Sequence, residues 1–383
     1  MNALWVETMA RARTIRHQIH RRPEIAWAEH ATASAVRAEL DAIGIGWRAC
    51  ADTGTVAVLA PLAPGRSIAL RADLDAMPIT ESTAVAYASQ TPGVMHACGH
   101  DGHTAALLAA ARWLHAHEPE LPGSVTLLFQ PAEEGGHGAR RMIDEGCLDS
   151  VEAVFGWHNW PGLPAGRAAC PDGPVMSANG TFEVRLHGRG GHASQPEATS
   201  DPVLAAAAVT VALQQVVARR TAPQEAVVVA VTSLQAQSAP TVTPDDAALA
   251  GSIRAADDDS RARTFALIDE IAQATAAAYG VRAEVLTTSR YGATVNHPGP
   301  AAEYRGQLAA VLGPDWADHE QSTPVLASED FSYYLGEVPG AFALLGSATT
   351  APLHSAQYDF DDGLIEPATR LLVGLAGAPD PTA

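Results

Sequence analysis

Three histidines, a cysteine and an aspartate crowd into Met95-His96-Ala97-Cys98-Gly99-His100-Asp101-Gly102-His103. Thiolate and imidazole are donors for zinc and related divalent ions. Cys98 and His100, two positions apart, can turn both donor atoms into one cavity, and Gly99 and Gly102 give the backbone freedom to close around an ion. An Ala/Leu-rich run from Thr104 to His115 follows with helical spacing, which places the cluster in a loop feeding a helix N-terminus, where the dipole favours a thiolate. Other candidates end apolar runs: Asp73 and Asp75 after Ser67 to Ala72, Glu133 and Glu134 after Ser124 to Gln130, and His158 after Ala153 to Trp157. Strand ends are where sites form in open α/β sheets. Asp73 and Asp75 read equally well as solvated turn residues. Consecutive side chains on extended backbone diverge, so one of Glu133 and Glu134 can ligate a metal while its neighbour faces a water.

The elements that must position these residues form an α/β pattern. Asn2 to Gly44 reads as two helices broken at Arg22-Pro23-Glu24. Gly54 to Ala60 and Ser67 to Ala72 read as separate strands, and the strand, helix, strand alternation through Phe155 implies a largely parallel sheet flanked by helices. Pro171 to Asn179 is rich in turn-forming residues and marks a crossing between domains. Beyond it, strand Thr181 to Leu186, helix Asp201 to Arg219, strands Ala226 to Leu234 and Ala247 to Arg254, helix Ser260 to Tyr279 and strand Arg282 to Thr288 give the βαββαβ order of a ferredoxin-like unit. Tyr291 to Pro300 leads back, and strand Ala341 to Leu345 precedes a further histidine, His354. The expected division is 1–178 with 290–383 as one domain and 179–289 as an inserted second.

At 383 residues the chain exceeds what one core usually holds, and 47% hydrophobic against 17% charged residues describes a globular protein. With 24 Lys and Arg against 43 Asp and Glu, the net charge is -19. An acidic surface repels phosphate backbones and anionic lipid, so neither nucleic acid nor membrane is expected as a partner. Met1 to Trp27 reads as neither a secretory signal nor a membrane span. Four widely spaced cysteines, Cys50, Cys98, Cys147 and Cys170, suit a reducing compartment, and a cytoplasmic location is expected.

Eight stretches then carry a resemblance. They are HRRPEIAWAEHAT (20–32), LRADLDAMPITE (70–81), MHACGHDGHTA (95–105), LLFQPAEEGGHGA (127–139), FGWHNWPGLPAG (155–166), GRGGHASQP (188–196), SEDFSYY (328–334) and LHSAQYDF (353–360). In this order the sequence resembles the M20 metallopeptidase and amidohydrolase family, in its branch of aminoacylase, hippurate hydrolase and auxin-conjugate hydrolase type. The resemblance implies a metal-binding catalytic domain with an inserted lid and dimerisation domain. It makes Cys98, His100, Glu134, His158 and His354 the ligands of two divalent ions, zinc, manganese or cobalt, and Glu133 the general base. Asp73 becomes a supporting carboxylate, with Arg71-Ala72-Asp73 standing where related enzymes carry His-x-Asp. His192 matches a lid histidine that reaches the partner subunit's active site in a homodimer, and Arg254 a lid arginine that meets the substrate carboxylate. Thr241-Val242-Thr243-Pro244 stands where many relatives carry Asn-Val-Ile-Pro. His96, His103, His115 and His137 have no ligand role in the pattern and are expected to be structural. The implied activity is cleavage of N-acetyl or N-aroyl amino acids to a carboxylate and a free amino acid, by a water that Glu133 activates. Dipeptidase or carboxypeptidase activity is the alternative, and a non-catalytic binding protein of the same fold is disfavoured by the intact Glu133.

Overall fold

The computed structural model describes residues 2–382. Helix Ala3–His20 starts at Asn2, whose side chain accepts the Leu4 amide at 2.9 Å, and it buries Trp5, Met9, Ala12, Ile15 and Ile19 along one stripe. Pro23 lies in the break after it, and helix His30–Ile43 follows, closed by Gly44 at φ 84° in the left-handed conformation glycine tolerates. Both pack against helix His100–Ala116, which is buried almost throughout.

That long helix covers a sheet whose register explains where the strand ends lie. Ile68 to Asp73 runs parallel to Val125 to Gln130, with Asp73 opposite Gln130. Ile68 to Leu70 runs parallel to Ala153 to Phe155, and strand Ala153–Trp160 runs parallel to Gly340–Gly346. Antiparallel pairings occur at the flanks, Trp47–Cys50 with the arm near Gly54 and Ala168–Ala169 with Leu344 and Leu345. One expectation changes here. Gly54 to Ala60 and Ser67 to Ala72 are arms of one continuous strand, Gly54–Asp73, and both arms pair with Gly123–Gln130: Leu128 faces Val56 in one register and Arg71 in the other.

The described residues form two compact units. The first comprises the chain up to Val175, Val295–Ser322 and the residues from Asp330 on; the second is Met176–Thr294 with Thr323–Glu329. The later segment joins the second unit through Ser177, whose amide lies 3.0 Å from the Val325 carbonyl and 2.9 Å from that of Ala327.

In the second unit the antiparallel sheet runs in the order Arg282–Ser289, Ala178–His187, Asp246–Ala255, Val227–Gln235. Burial alternates along Ala178–His187, which puts Phe182, Val184 and Leu186 on the covered face. The cover consists of helices Pro202–Ala212, Gln215–Arg220 and Asp258–Ala278, capped by Asp201 and Asp257 at the first and last. Connected in chain order, these elements read βαββαβ with the first helix in two pieces, where the sequence suggests one from Asp201 to Arg219. Pro202–Arg220 is apolar and long enough to cross a membrane by length and composition. Ala205, Ala206, Val209, Leu213 and Val216 from that stretch are buried in the core of the second unit.

Candidate metal centre

In the first unit, parallel pairing brings three strand ends to one edge of the sheet: Asp73, the Gln130-Pro131-Ala132-Glu133-Glu134 turn, and His158 in Ala153–Trp160. Gly99 is the cap that presents the cysteine cluster to them. It sits at φ 91°, and a Cβ there would lie 2.5 Å from Asn159 Oδ1 and 2.9 Å from Tyr358 Oη, so only glycine allows this approach. Helix His100–Ala116 consequently begins at His100, four residues before the periodic run suggests, and carries His100 and His103 in its first turn. His354 arrives from the opposite side of the sequence at φ 62°, its amide donating to the Ala97 carbonyl at 2.8 Å.

The five expected ligands converge. Cys98, His100 and His158 offer donor atoms within 4.8 Å of one another, as do Cys98, Glu134 and His354, and also His100, Glu133 and Glu134. Cys98 belongs to two of these groups. Sγ of Cys98 lies 3.3 Å from His158 Nε2. His158 Nδ1 donates to the Asn159 carbonyl at 2.7 Å, and His100 Nδ1 to the Asp75 carbonyl at 2.9 Å. Each bond fixes a tautomer whose other nitrogen, Nε2, presents a lone pair toward the cluster. His100 Nε2 is buried without a hydrogen-bonding partner. Glu134 Oε1 is 3.2 Å from His354 Nε2, an ion-pair distance without hydrogen-bond alignment. Buried polar atoms are nearly always satisfied. Two such orphans among soft and intermediate donors fit a divalent cation.

The electrostatics point the same way. Burial works against a charged His100, yet Asp73, Asp75 and Glu134 outweigh it and lift its pKa to about 10, so the carboxylates draw a proton onto the ring that a bound cation would have to displace from Nε2. Burial likewise opposes ionisation of Asp73, and His100, His103 and Arg71 overcome it, holding the carboxylate well below its usual range. Glu134 is also held low: burial opposes, and His354 and His100 prevail. Burial and its neighbour His103 hold His158 neutral, the form that ligates. The helix dipole is not the dominant influence on Cys98, contrary to expectation. Burial, then Glu134, Glu133 and Asp73, push its thiol well above the usual value. Amid so many carboxylates, a thiolate requires a cation beside it.

Around the donors lies a paired second layer. Asp73 accepts from Arg71 Nη1 and His103 Nδ1, each at 2.6 Å, and its Oδ2 is 3.6 Å from His100 Nε2. Asp73, His100 and His103 also offer donor atoms within 4.8 Å of one another. His103 also bridges to Asn159 Oδ1 at 2.6 Å, in keeping with a structural part. His96 is buried with both ring nitrogens unpartnered, His115 meets Glu118 at 3.0 Å and His137 meets Tyr333 Oη at 2.8 Å. Two contributors have no named role in the sequence reading, Asn159 and Asp330, which accepts from Gln130, Arg71 and the Ala139 amide, and Asp75 enters it only as one of two strand-end carboxylates. Asp75 had a signal, its i, i+2 spacing from Asp73 at a strand end.

His192 and Arg254 belong to the second unit. His192 is exposed on the short strand Gly191–His192, opposite Val242 of the variant Thr241–Pro244 segment, and its Nδ1 accepts the Ser194 amide at 3.1 Å. Arg254 is half-buried, with Nη1 donating to the Ile253 carbonyl at 3.0 Å. Burial and then Arg290 lower its pKa.

Residues 69–378 match the peptidase family M20/M25/M40. The chain belongs to that family. Among its relatives, the IAA-amino acid hydrolase ILR1-like 2 of Arabidopsis thaliana is 38% identical over 360 residues, covering 92% of this chain and 81% of that one. The N-acetyl-L-cysteine deacetylase of Bacillus subtilis is 37% identical over 368 residues, covering 94% and 85%. Among solved structures, a dinuclear metal-binding M20 peptidase of Bacillus subtilis superposes with a TM-score of 0.86 at 30% identity, covering 97% of this chain and 98% of that one. This M20 chain thus shares both its fold and its α/β sheet with hydrolases.

Proposed function

We propose that this protein hydrolyses the amide bond of N-acyl amino acids, N-acetyl or N-aroyl, to a carboxylate and a free amino acid. Cys98, His100, Glu134, His158 and His354 would hold two divalent ions, zinc or manganese and also cobalt, whose donors they suit. The observation that carries this reading is the adjacency of Glu133 and Glu134: one carboxylate in the donor groups with Cys98 and His354, its neighbour within 4.8 Å of His100 and Glu134 donors. The bound ions supply Lewis acidity, polarising an amide carbonyl and acidifying water. Glu133, 5% exposed, takes the proton of the attacking water on a carboxylate oxygen and returns it to the departing nitrogen. Asp73, fixed by Arg71 and His103, lies beside His100 Nε2 as a supporting carboxylate, and the Asp75 carbonyl holds His100 from behind through Nδ1. The deacetylase and conjugate-hydrolase relatives support N-acyl amino acids as substrates. The test is a panel of N-acetyl and N-benzoyl amino acids beside dipeptides, before and after exhaustive chelation. Hydrolysis of the N-acyl compounds, abolished by chelation and restored by zinc, manganese or cobalt, is expected; turnover of dipeptides alone would assign a dipeptidase, and full activity in metal-free protein would remove the metal centre from the reaction.

The proposal extends to a homodimer formed through 179–289, with His192 serving the partner's active site as a donor to the developing oxyanion and Arg254 meeting the substrate carboxylate. Strand Val227–Gln235 is a free edge of its sheet, and helix Pro202–Ala212 leaves Val203, Leu204 and Val211 exposed by 37%, 55% and 73%, which supports a covering copy. Mixing inactive His192→Ala with inactive Glu133→Gln should restore one working site per mixed dimer. No recovery despite demonstrated subunit exchange contradicts the cross-subunit role. The four free cysteines support a cytoplasmic setting.

A further inference from the structure

We infer that Asp75 is a positioning residue that sets the distance between base and ligand by holding the backbone of the Glu133-Glu134 turn. The inference rests on the reading of Glu133 as base and Glu134 as ligand. Asp75 is 1% exposed, and its two carboxylate oxygens accept from two consecutive amides: Oδ1 from Glu133 N at 3.0 Å and Oδ2 from Glu134 N at 2.9 Å. Its own carbonyl takes the His100 Nδ1 proton at 2.9 Å, so one residue fixes a ligand histidine and the two acidic residues opposite it. The preceding amide, Ala132 N, is accepted by Glu29 Oε1 at 2.8 Å, and Glu29 Oε2 accepts the Thr53 hydroxyl at 2.7 Å. Three successive amides are therefore held by two buried carboxylates. Ala132 sits at φ 55°, a conformation that persists in a non-glycine residue only when its surroundings impose it. With the backbone of the turn fixed, the directions in which Glu133 and Glu134 leave it are fixed as well, which is what keeps a base apart from a ligand.

Asp75→Asn probes this role. Because both oxygens accept from N–H groups, the carboxamide must set its NH2 against one of the two amides; the backbone carbonyl that accepts from His100 Nδ1 stays, but Oδ1 also lies 3.3 Å from that nitrogen, so exchange at the Glu133 and Glu134 amides is what separates an effect on the turn from one on His100. With manganese saturating and two ions per chain verified by elemental analysis, kcat for an N-acetyl amino acid should fall on the order of a hundredfold, the usual effect of misplacing a group by about 1 Å, with KM unchanged. The Glu133 and Glu134 amides should exchange hydrogen at least tenfold faster in the variant than in the wild type, as expected for donors that lose a charge-assisted bond. Wild-type kcat at full occupancy overturns the inference, as does equal exchange in the two proteins. Should Asp75→Asn fail to fold, exchange in the wild type decides alone: protection comparable to strand Gly123–Gln130 supports the clamp, and exchange at unprotected rates contradicts it. Exchange is read without substrate. An absence of amide hydrolysis in the wild type would therefore sink the functional reading and leave the clamp to stand or fall on its own measurement.

Discussion

Two neighbouring residues at the start of one helix, His100 and Asp101, are both fully buried and belong to clusters of opposite character. Asp101 faces Arg16, whose Nε donates to Asp101 Oδ2 at 3.0 Å, Nη1 to Asp362 at 2.5 Å and the Phe360 carbonyl at 3.1 Å, and Nη2 to Asp359 at 2.7 Å. His20 completes the cluster at 2.9 Å from the same Asp101 oxygen. Every arginine nitrogen there has a partner; Asp101 Oδ1 and the adjacent His96 are the exceptions. His100 instead faces Cys98, Glu134 and His158, with Nε2 unpartnered. A buried carboxylate opposed by a built-in cation is structural. A buried donor opposed by other donors calls for a cation from outside.

The comparison breaks most visibly at Arg16. Arg16→Ala removes the permanent cation from the buried Asp101 and leaves it only His20, and the expected loss is about 3–5 kcal/mol of unfolding free energy, equal with and without added metal. Denaturant titration in both conditions checks it. Divalent metal should instead act through the other cluster, raising wild-type stability by about 2.7 kcal/mol at a free concentration a hundred times the dissociation constant, with the gain much reduced in Cys98→Ser. A metal-dependent loss at Arg16, or an unreduced gain in Cys98→Ser, would merge clusters held here to be distinct.

The smallest expected effect is pH-dependent and belongs to His20. Burial opposes its charge, Asp101 outweighs burial, and the folded pKa is raised. A raised pKa stabilises the fold fully below the unfolded value of about 6.5 and ceases to do so as pH rises through the folded value. The stability gap between wild type and His20→Gln should therefore be wider at pH 5.5 than at pH 9. A gap that widens toward alkaline pH would show that His20 is not held as a cation by Asp101.

What was legible in the sequence follows the range of the interactions. The candidate donors sit in short contiguous motifs near the ends of apolar runs, so Cys98, His100, the Glu133-Glu134 pair, His158 and their sheet could be read locally, while the choice of Glu134 over Glu133 as ligand came with the resemblance. The long-range layer could not. Asp330 reaches the Ala139 amide across 191 positions, and Thr323–Glu329 joins the second unit through Ser177, a contact no local pattern encodes. Local signals also misled in places. Pro61, Pro64 and Gly65 suggest a break where the strand Gly54–Asp73 continues, and the helix expected from Asp201 to Arg219 is interrupted near Leu213, where Gln214 and Gln215 stand in the apolar run. At Cys98 a helix-start argument for a thiolate was outweighed by burial and three carboxylates that only the fold brings together.

The most direct test of the account takes one preparation of Glu133→Gln and measures its bound metal per chain together with its turnover of an N-acyl amino acid cleaved by the wild type. The carboxamide keeps the shape of the side chain and removes its capacity to accept the proton. Two ions per chain with turnover reduced by about two to four orders of magnitude is the result expected for a general base beside an intact centre. Two ions per chain with turnover near the wild-type rate would contradict the assignment of Glu133 as base and Glu134 as ligand.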